Sequence, residues 1–328
     1  MATAPEPTAP ESTARESTAP ESTAPEPTAP ESTTGKPVET PSGKGAGDEN
    51  FPVGSWLLPA ALRPHVARFY AFARAIDDIA DNPALAPGDK VARLDRFERA
   101  ITAAEHGDPA LITAERLRDS LAETGITPRH CVDLIAAFKR DATKLRYDDW
   151  DDLMGYCEQS ANPVGRYLLD LHGEDVTGYP YSDALCSALQ VLNHLQDCQD
   201  DYRNLDRVYL PGDWMVEANV MGAALDAPQA SAGLRRVIDR CLDGSDRLIA
   251  TARGLAPALR SARLAMESEV IVRIAARLSA ELRRRDPLAG RVELGKPQFA
   301  ACGIGGVLSV LLRRGLGRSR ALKPAQQG

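Results

Sequence analysis

The stretch from Gln190 to Pro211, QVLNHLQDCQDDYRNLDRVYLP, constrains the fold more than any other part of the chain. Asp197 and Asp201 stand four residues apart with Asp200 beside them, and Asn193 and Gln190 lie one and two turns earlier. At 3.6 residues per turn these groups share one helix face. Like charges at this spacing cost a helix about 0.2 to 0.5 kcal/mol per pair, and Asn and Asp are poor formers of a helix interior. The stripe therefore meets a cation from outside or is solvated. A second stripe lies more than a hundred residues earlier, in FYAFARAIDDIAD. There Arg74, Asp77, Asp78 and Asp81 fall at i, i+3, i+4 and i+7, again on one face, while Phe69, Phe72 and Ile76 supply apolar surface for packing.

Two carboxylate stripes on separate helices can face each other across a cavity and hold divalent ions between them. Magnesium suits such a site: it takes a few carboxylates, keeps some waters and accepts phosphate oxygens in its remaining positions. A diphosphate is then a natural ligand. Alone, DDIAD is a weak signal that reads more readily as a solvated face or as charge compensation at a helix N-terminus. The presence of two stripes, each within an otherwise apolar helix, favours the metal site.

From Asn50 onward the apolar period is helical nearly throughout, and no run of alternating β-branched residues appears, so the body is expected to be all-α. A first helix is expected from about Arg63 to Ala80, stopping near Asn82-Pro83, and a second through Val91, Leu94, Phe97 and Ile101. Leu111 to Leu121 makes a third, ended by Gly125. Thr127-Pro128 offers an N-cap and first-turn proline for a fourth, running toward Leu145. Trp150 opens DLMGYCEQSANPVGRYLLDLHG, where Pro163 and Gly165 interrupt the pattern. A proline inside a helix costs about 3 kcal/mol, so this is either a kink serving shape or access, or two helices meeting at a turn. The central helix is expected over Ser182 to Asn204, followed by long helices over Ala230 to Thr251 and Ala258 to Arg284, with Met266, Val270, Ile274 and Leu278 in the core.

Charge and composition separate both ends from this body. From Ala4 to Thr33 six pentapeptides of the type APEST, APEPT or AREST repeat without a large apolar residue, so residues 1–49 read as a disordered, acidic, proline-spaced tail. It has neither the basic nor the apolar region of a secretory signal. Residues 1–50 carry nine acidic and three basic groups, whereas 283–328 carry ten basic and two acidic ones. The basic end, 291–328, holds the apolar run Phe299 to Leu312, shorter than the ~20 residues a membrane span needs. Two readings stay open for it: a surface segment on an anionic bilayer, or a last helix packed on the body 50–290. The acidic middle gives no footprint for nucleic acid. Cys131, Cys157, Cys186, Cys198, Cys241 and Cys302 form no CxxC pair and read as small core residues of a reducing, cytoplasmic compartment.

The body resembles the squalene/phytoene synthase family of all-α isoprenoid synthases over essentially all of residues 50–290. The resemblance is carried by Tyr70-Ala71-Phe72-Ala73-Arg74-Ala75-Ile76-Asp77-Asp78, by Tyr156-Cys157 followed by Val164-Gly165, and by the Gln190 to Pro211 stretch. Glu49-Asn50-Phe51-Pro52-Val53, Ser160 to Arg166 and Asp206 to Pro211 look most like the bacterial hopanoid-pathway, hydroxysqualene synthase branch. Two departures bear on the substrate. Members that join two prenyl diphosphates commonly carry arginine where this chain has Gln196, and a basic, serine-containing stretch where it has Asp48, Glu49 and Asn50. Both favour a substrate with one diphosphate.

The resemblance implies presqualene diphosphate as substrate, ionised with magnesium held by Asp77, Asp78, Asp81, Asp197, Asp200 and Asp201. Water would quench the rearranged cation to hydroxysqualene. Phe51, Tyr70, Phe72, Arg74, Gln190, Asn193, Arg207 and Tyr209 are the implied substrate contacts, Tyr156 a pocket residue of the reaction, and Asn162 a residue that orients water. The alternatives are condensation of two farnesyl diphosphates to presqualene diphosphate or squalene, phytoene synthesis, and a non-catalytic assembly factor of the same fold. Reduction to squalene would need NADPH, and no GxGxxG follows a strand to bind it in the usual way. A non-catalytic relative would be expected to have lost the aspartates, and all are present.

Overall fold

The structure is a computed structural model that describes residues 57–102 and 107–321, the side chains of 317–321 excepted. The tail, Asp48 to Asn50 and Phe51 lie outside the described residues. Helix α1 (Arg63–Asp81) starts with Pro64 in its first turn, buries Val66, Phe69, Phe72, Ile76 and Ile79, and ends at Asn82 just before Pro83. Helices α2 (Pro87–Thr102), α3 (Ile112–Thr124) and α4 (Arg129–Asp141) follow, and α3 stops where Gly125 turns left-handed at φ 71°. Pro128 precedes α4 as its cap rather than entering its first turn, and α4 ends short of Leu145. The chain straightens there into strand β1 (Arg146–Tyr147), which pairs in parallel with β2 (Val208–Pro211). This short bridge is the one departure from an all-helical body among the described residues.

Helix α5 (Trp150–Ser160) begins where the Asp149 carboxylate accepts the Asp152 N–H, satisfying a donor that the first turn leaves open. The interruption at Pro163 proves to be a junction between two helices, not a kink. Ala161 leaves the helical conformation, and α6 (Asn162–Leu171) restarts with Pro163 in its first turn, where no backbone bond is lost. Two residues later, a Cβ on Gly165 would sit 2.3 Å from Ser182 Oγ and 2.7 Å from Cys186 Sγ. The missing side chain is what lets α6 lie against α7 (Tyr179–Leu205).

At 27 residues α7 is about 40 Å long, and it touches α5, α6, α9 (Ala232–Ala252) and α11 (Ala262–Arg284). Helix α1 packs instead on α2, α3 and α4, so the two aspartate helices belong to neighbouring layers linked through α4 and α6. Short α8 (Gly212–Glu217) and α10 (Leu255–Ala258) join the longer pieces. Val270, Ile274 and Leu278 are buried in α11 as their spacing predicts.

The last helix, α12 (Lys296–Ala321), outruns the apolar stretch seen in the sequence. Its segment Lys296–Leu316 is long and apolar enough to cross a membrane by length and composition, so the length argument made from Phe299 to Leu312 fails. One face is nonetheless committed to α11: a Cβ on Gly306 would approach the Val270 backbone nitrogen to 2.9 Å, and Val310 is buried. The opposite face leaves Ile304, Leu308, Leu311, Leu312 and Leu316 in solvent.

Candidate active site

The turn after α7 ties the second aspartate helix to the first through Arg207. Asp206 adopts a left-handed conformation at φ 51°, and Arg146 bonds its backbone carbonyl and, at 2.6 Å, its carboxylate. The chain thus turns sharply into β2 and sends the Arg207 side chain under α1. Arg207 is 5% exposed; its guanidinium donates to Asp81 at 2.5 Å and to the carbonyls of Ala80 and Asp141 at 3.1 and 3.2 Å. A planar fork suits several acceptors at once, and three of its N–H groups are used here.

Beyond Arg207 the site is aromatic. Tyr147, Tyr156 and Tyr209 form a triangle with ring centroids 5.3 to 5.6 Å apart, and His194 of α7 stacks on Tyr209 at 3.5 Å. The Tyr156 hydroxyl donates to Asp141 at 2.6 Å. Burial, with the Asp141 charge next, holds the Tyr156 phenol well above its ordinary value, so it stays a neutral donor. Burial likewise lifts Asp141 to about 6, with Arg207 and the Tyr156 hydrogen bond pulling the other way.

Each stripe carries its own partners. Arg74 pairs with Asp77 at 3.0 Å and Asp78 at 3.3 Å, and Arg207 takes Asp81. Burial and the neighbouring Asp81 charge drive the Asp77 carboxyl well above the usual range, a strain that a divalent cation beside both would relieve. On α7, His194 lies 3.8 Å from Asp201, and its Nε2 accepts a bond from the Gln190 amide nitrogen at 3.0 Å. Asp200 is exposed to solvent, and Asn193 and Tyr70 are half-buried.

Asp197 is met from an unexpected quarter. Arg291 pairs with it at 2.7 Å, and Gln196, itself buried, donates at 2.5 Å to the carbonyl of Val292, which is fully buried. Residues 291 and 292 are therefore seated on the second stripe. The cation that Gln196 does not supply arrives from the loop after α11.

Among the described residues no three His, Cys, Asp or Glu side chains stand close enough to hold an ion by themselves. A magnesium ion does not require that, since it is bound by one or two carboxylates with waters and phosphate oxygens completing the octahedron. Pairs of hard oxygen donors one turn apart, one of them a carboxyl that disfavours its own charge, fit that ion. The cysteines offer no nucleophile: burial raises Cys157, Cys186 and Cys198 far from thiolate character.

Two expected residues sit elsewhere. Phe72 is fully buried against Phe97 and belongs to the α1–α2 core, because its position on α1 faces away from Asp77 and Asp81. Asn162 accepts a bond from Ser187 at 2.9 Å and borders a cavity of about 590 Å3 with Asp151, Glu158 and Arg166. Ser187 precedes Asp197 by ten residues, about 15 Å along α7, so Asn162 joins α6 to α7 at some distance from the aspartates. Four residues of the cluster were not anticipated: Asp141, Tyr147, His194 and Arg291. The first three lie in ordinary helical or turn sequence, and only the proximity of Tyr147 to the Trp150 helix start and of His194 to Asp197 could have drawn notice.

Comparison with known proteins identifies the family. The sequence signature of squalene/phytoene synthases covers residues 45–298. A hydroxysqualene synthase of Rhodopseudomonas palustris is 41% identical over 88% of this chain and 97% of its own length, and one of Zymomonas mobilis is 41% identical over 78% and 86%. Among solved structures, a squalene synthase of Alicyclobacillus acidocaldarius shares 35% identity with a TM-score of 0.62, covering 71% of this chain and 87% of its own. A dehydrosqualene synthase, at 19% identity and a TM-score of 0.65, covers 81% and 93% and shares the fold. The helical body, its two aspartate helices and these matches lead to one conclusion: the chain belongs to the squalene/phytoene synthase family and is an enzyme of that family.

Proposed function

We propose that the protein converts presqualene diphosphate and water to hydroxysqualene and diphosphate. The observation that carries the reading is the similarity, at 38 to 41% identity, to three proteins named hydroxysqualene synthase, spanning 86 to 97% of their lengths. Asp77 and Asp81 on α1, with Asp197 and Asp201 on α7, would hold magnesium. When bound, the ion supplies Lewis-acid stabilisation of the departing diphosphate. Arg74, Arg207 and Arg291 hold diphosphate oxygens in this reading, since each already lies against one of the stripes. The substrate C–O bond breaks with its electron pair leaving on diphosphate. After rearrangement, a water oxygen forms the new C–O bond and releases one proton. The faces of Tyr156 and Tyr209 steady the cation without reacting with it, as neutral aromatic rings do.

A second reading, condensation of two farnesyl diphosphates, is favoured by the 35% identity to a squalene synthase of known structure and by the extra guanidinium of Arg291. Purified protein supplied with magnesium and either presqualene diphosphate or farnesyl diphosphate separates the two by mass spectrometry of the products. Hydroxysqualene from the first substrate, with no product from the second, is the expected outcome. Presqualene diphosphate or squalene formed from farnesyl diphosphate would replace it with the condensation reading.

The reading also places the enzyme at the inner face of the cell membrane through α12. Support comes from the apolar stripe that α12 turns to solvent and from the basic residues at both ends of it, Lys296 before and Arg313 and Arg314 after.

A further inference from the structure

Helix α12 carries no charged residue between Lys296 and Arg313, and only 11% of its apolar stretch is buried. Pro297, Ala301, Ile304, Leu308 and Leu311 follow one another at three- and four-residue spacing and so form one face. The last three are between 50% and 65% exposed. At its N-terminal end this face runs into a cavity of about 580 Å3 between α11 and α12, lined by Arg253, Arg273, Arg277, Pro297, Gln298 and Cys302.

The cavity is cationic despite the carboxylates near it. Arg273 and Arg277 stand one turn apart on α11 and are held by Glu269 at 3.1 Å and Glu281 at 2.9 Å. Those two glutamates are shared with Arg313 at 2.8 Å and Arg284 at 2.7 Å. Three guanidiniums, Arg253, Arg273 and Arg277, therefore line the cavity with no carboxylate in its wall, and the two glutamates that hold Arg273 and Arg277 are each shared with a further arginine outside it. The ion pairs fix the guanidiniums in place without neutralising the group.

We propose that this groove binds the phosphate headgroup of an anionic phospholipid, with the acyl chains lying along the Ile304, Leu308 and Leu311 face. Guanidinium forks match phosphate oxygens, and the adjoining apolar face matches hydrocarbon. An inorganic anion would use the first and gain nothing from the second. The inference rests on the bilayer contact of α12 and adds to it a defined headgroup site.

The test uses the full chain. Binding of monomeric dihexanoylphosphatidylglycerol, below its micelle concentration, is measured by titration calorimetry. Wild type should bind it saturably at one site, at least tenfold more tightly than dihexanoylphosphatidylcholine, and the Arg253→Ser/Arg277→Ser variant should lose that preference. Equal binding of the two lipids, or no loss in the variant, would overturn the site. So would inorganic phosphate binding as tightly as the anionic lipid, which would make the groove a free-anion site. Flotation with phosphatidylglycerol vesicles judges the underlying contact separately. There Leu308→Ser/Leu312→Ser should abolish binding, while the arginine variant should bind at least tenfold more weakly than a charge-matched Arg116→Ser/Arg236→Ser control. A wild type that does not float refutes the bilayer contact; floating with equal loss in both arginine variants refutes the headgroup site alone.

Discussion

Arg207 ties the segment that follows α7 to the first stripe, because one buried guanidinium reaches Asp81 on α1 and the backbone of α4. If Asp77, Asp81, Asp197 and Asp201 serve one metal-dependent site, Asp77→Asn and Asp201→Asn should each lower turnover at least about a hundredfold, roughly 2.7 kcal/mol of transition-state stabilisation. Both variants should keep their helical circular dichroism, and the double variant should be little worse than either single one, since groups acting as a unit are not additive. Near-normal turnover of Asp77→Asn beside an inactive Asp201→Asn would return the first stripe to a solvated face. Asp141 adds a signature in pH. Its folded-state value, about 6, exceeds that of an exposed carboxyl at 3.8, so between those values the folded protein keeps a proton that the unfolded chain has released. The contribution of Asp141 to stability is therefore fullest below about 4, falls as pH rises to about 6, and is constant above, a loss on the order of 3 kcal/mol. Asp141→Asn lacks that titration. Its melting temperature relative to wild type should climb from pH 4 to pH 7; a constant difference would show that Asp141 is not a buried, titrating acid.

At the scale of elements, glycines decide how closely the helices approach. A Cβ on Gly244 of α9 would lie 2.4 Å from the Trp150 ring. That ring cannot slide away, because it stacks on Trp214 at 5.4 Å and 8°, with the Arg240 guanidinium 4.3 Å over the Trp214 ring. Alanine gains about 1 kcal/mol over glycine in a helix, while overpacking costs about 1 to 3. Gly244→Ala should therefore destabilise by up to about 2 kcal/mol in urea unfolding. A midpoint at or above that of wild type would mean that the Trp150–Trp214 stack yields. The junction of α5 and α6 follows the same logic: Gly165 brings α6 onto α7, so Pro163 and Gly165 serve packing rather than a kink.

Over the whole molecule, charge and family match point the same way. The signature of the family begins at residue 45, after a repeat without a large apolar residue. Deleting residues 1–46 should leave turnover within about twofold, a change under roughly 0.4 kcal/mol in the barrier. A large loss of specific activity in the purified truncation would show that the repeat takes part in catalysis or folding.

What the sequence alone determined is what short-range periodicity can encode. The 3.6-residue repeat specified the helices and the two carboxylate stripes, and turn residues such as Gly125 and Asn82 placed most helix ends within a few residues. Tertiary structure decided which distant groups meet. Asp141 and Arg291 carry no local mark, because a single carboxylate or guanidinium in a helix or loop reads as surface. Only folding brings Arg291 to Asp197 and Asp141 to Tyr156. The same holds for α12: its apolar run was legible, but which side packs on α11 and which side faces solvent depends on the place of Gly306 against the Val270 backbone. Periodicity is a property of neighbours along the chain, whereas a site is a property of neighbours in space.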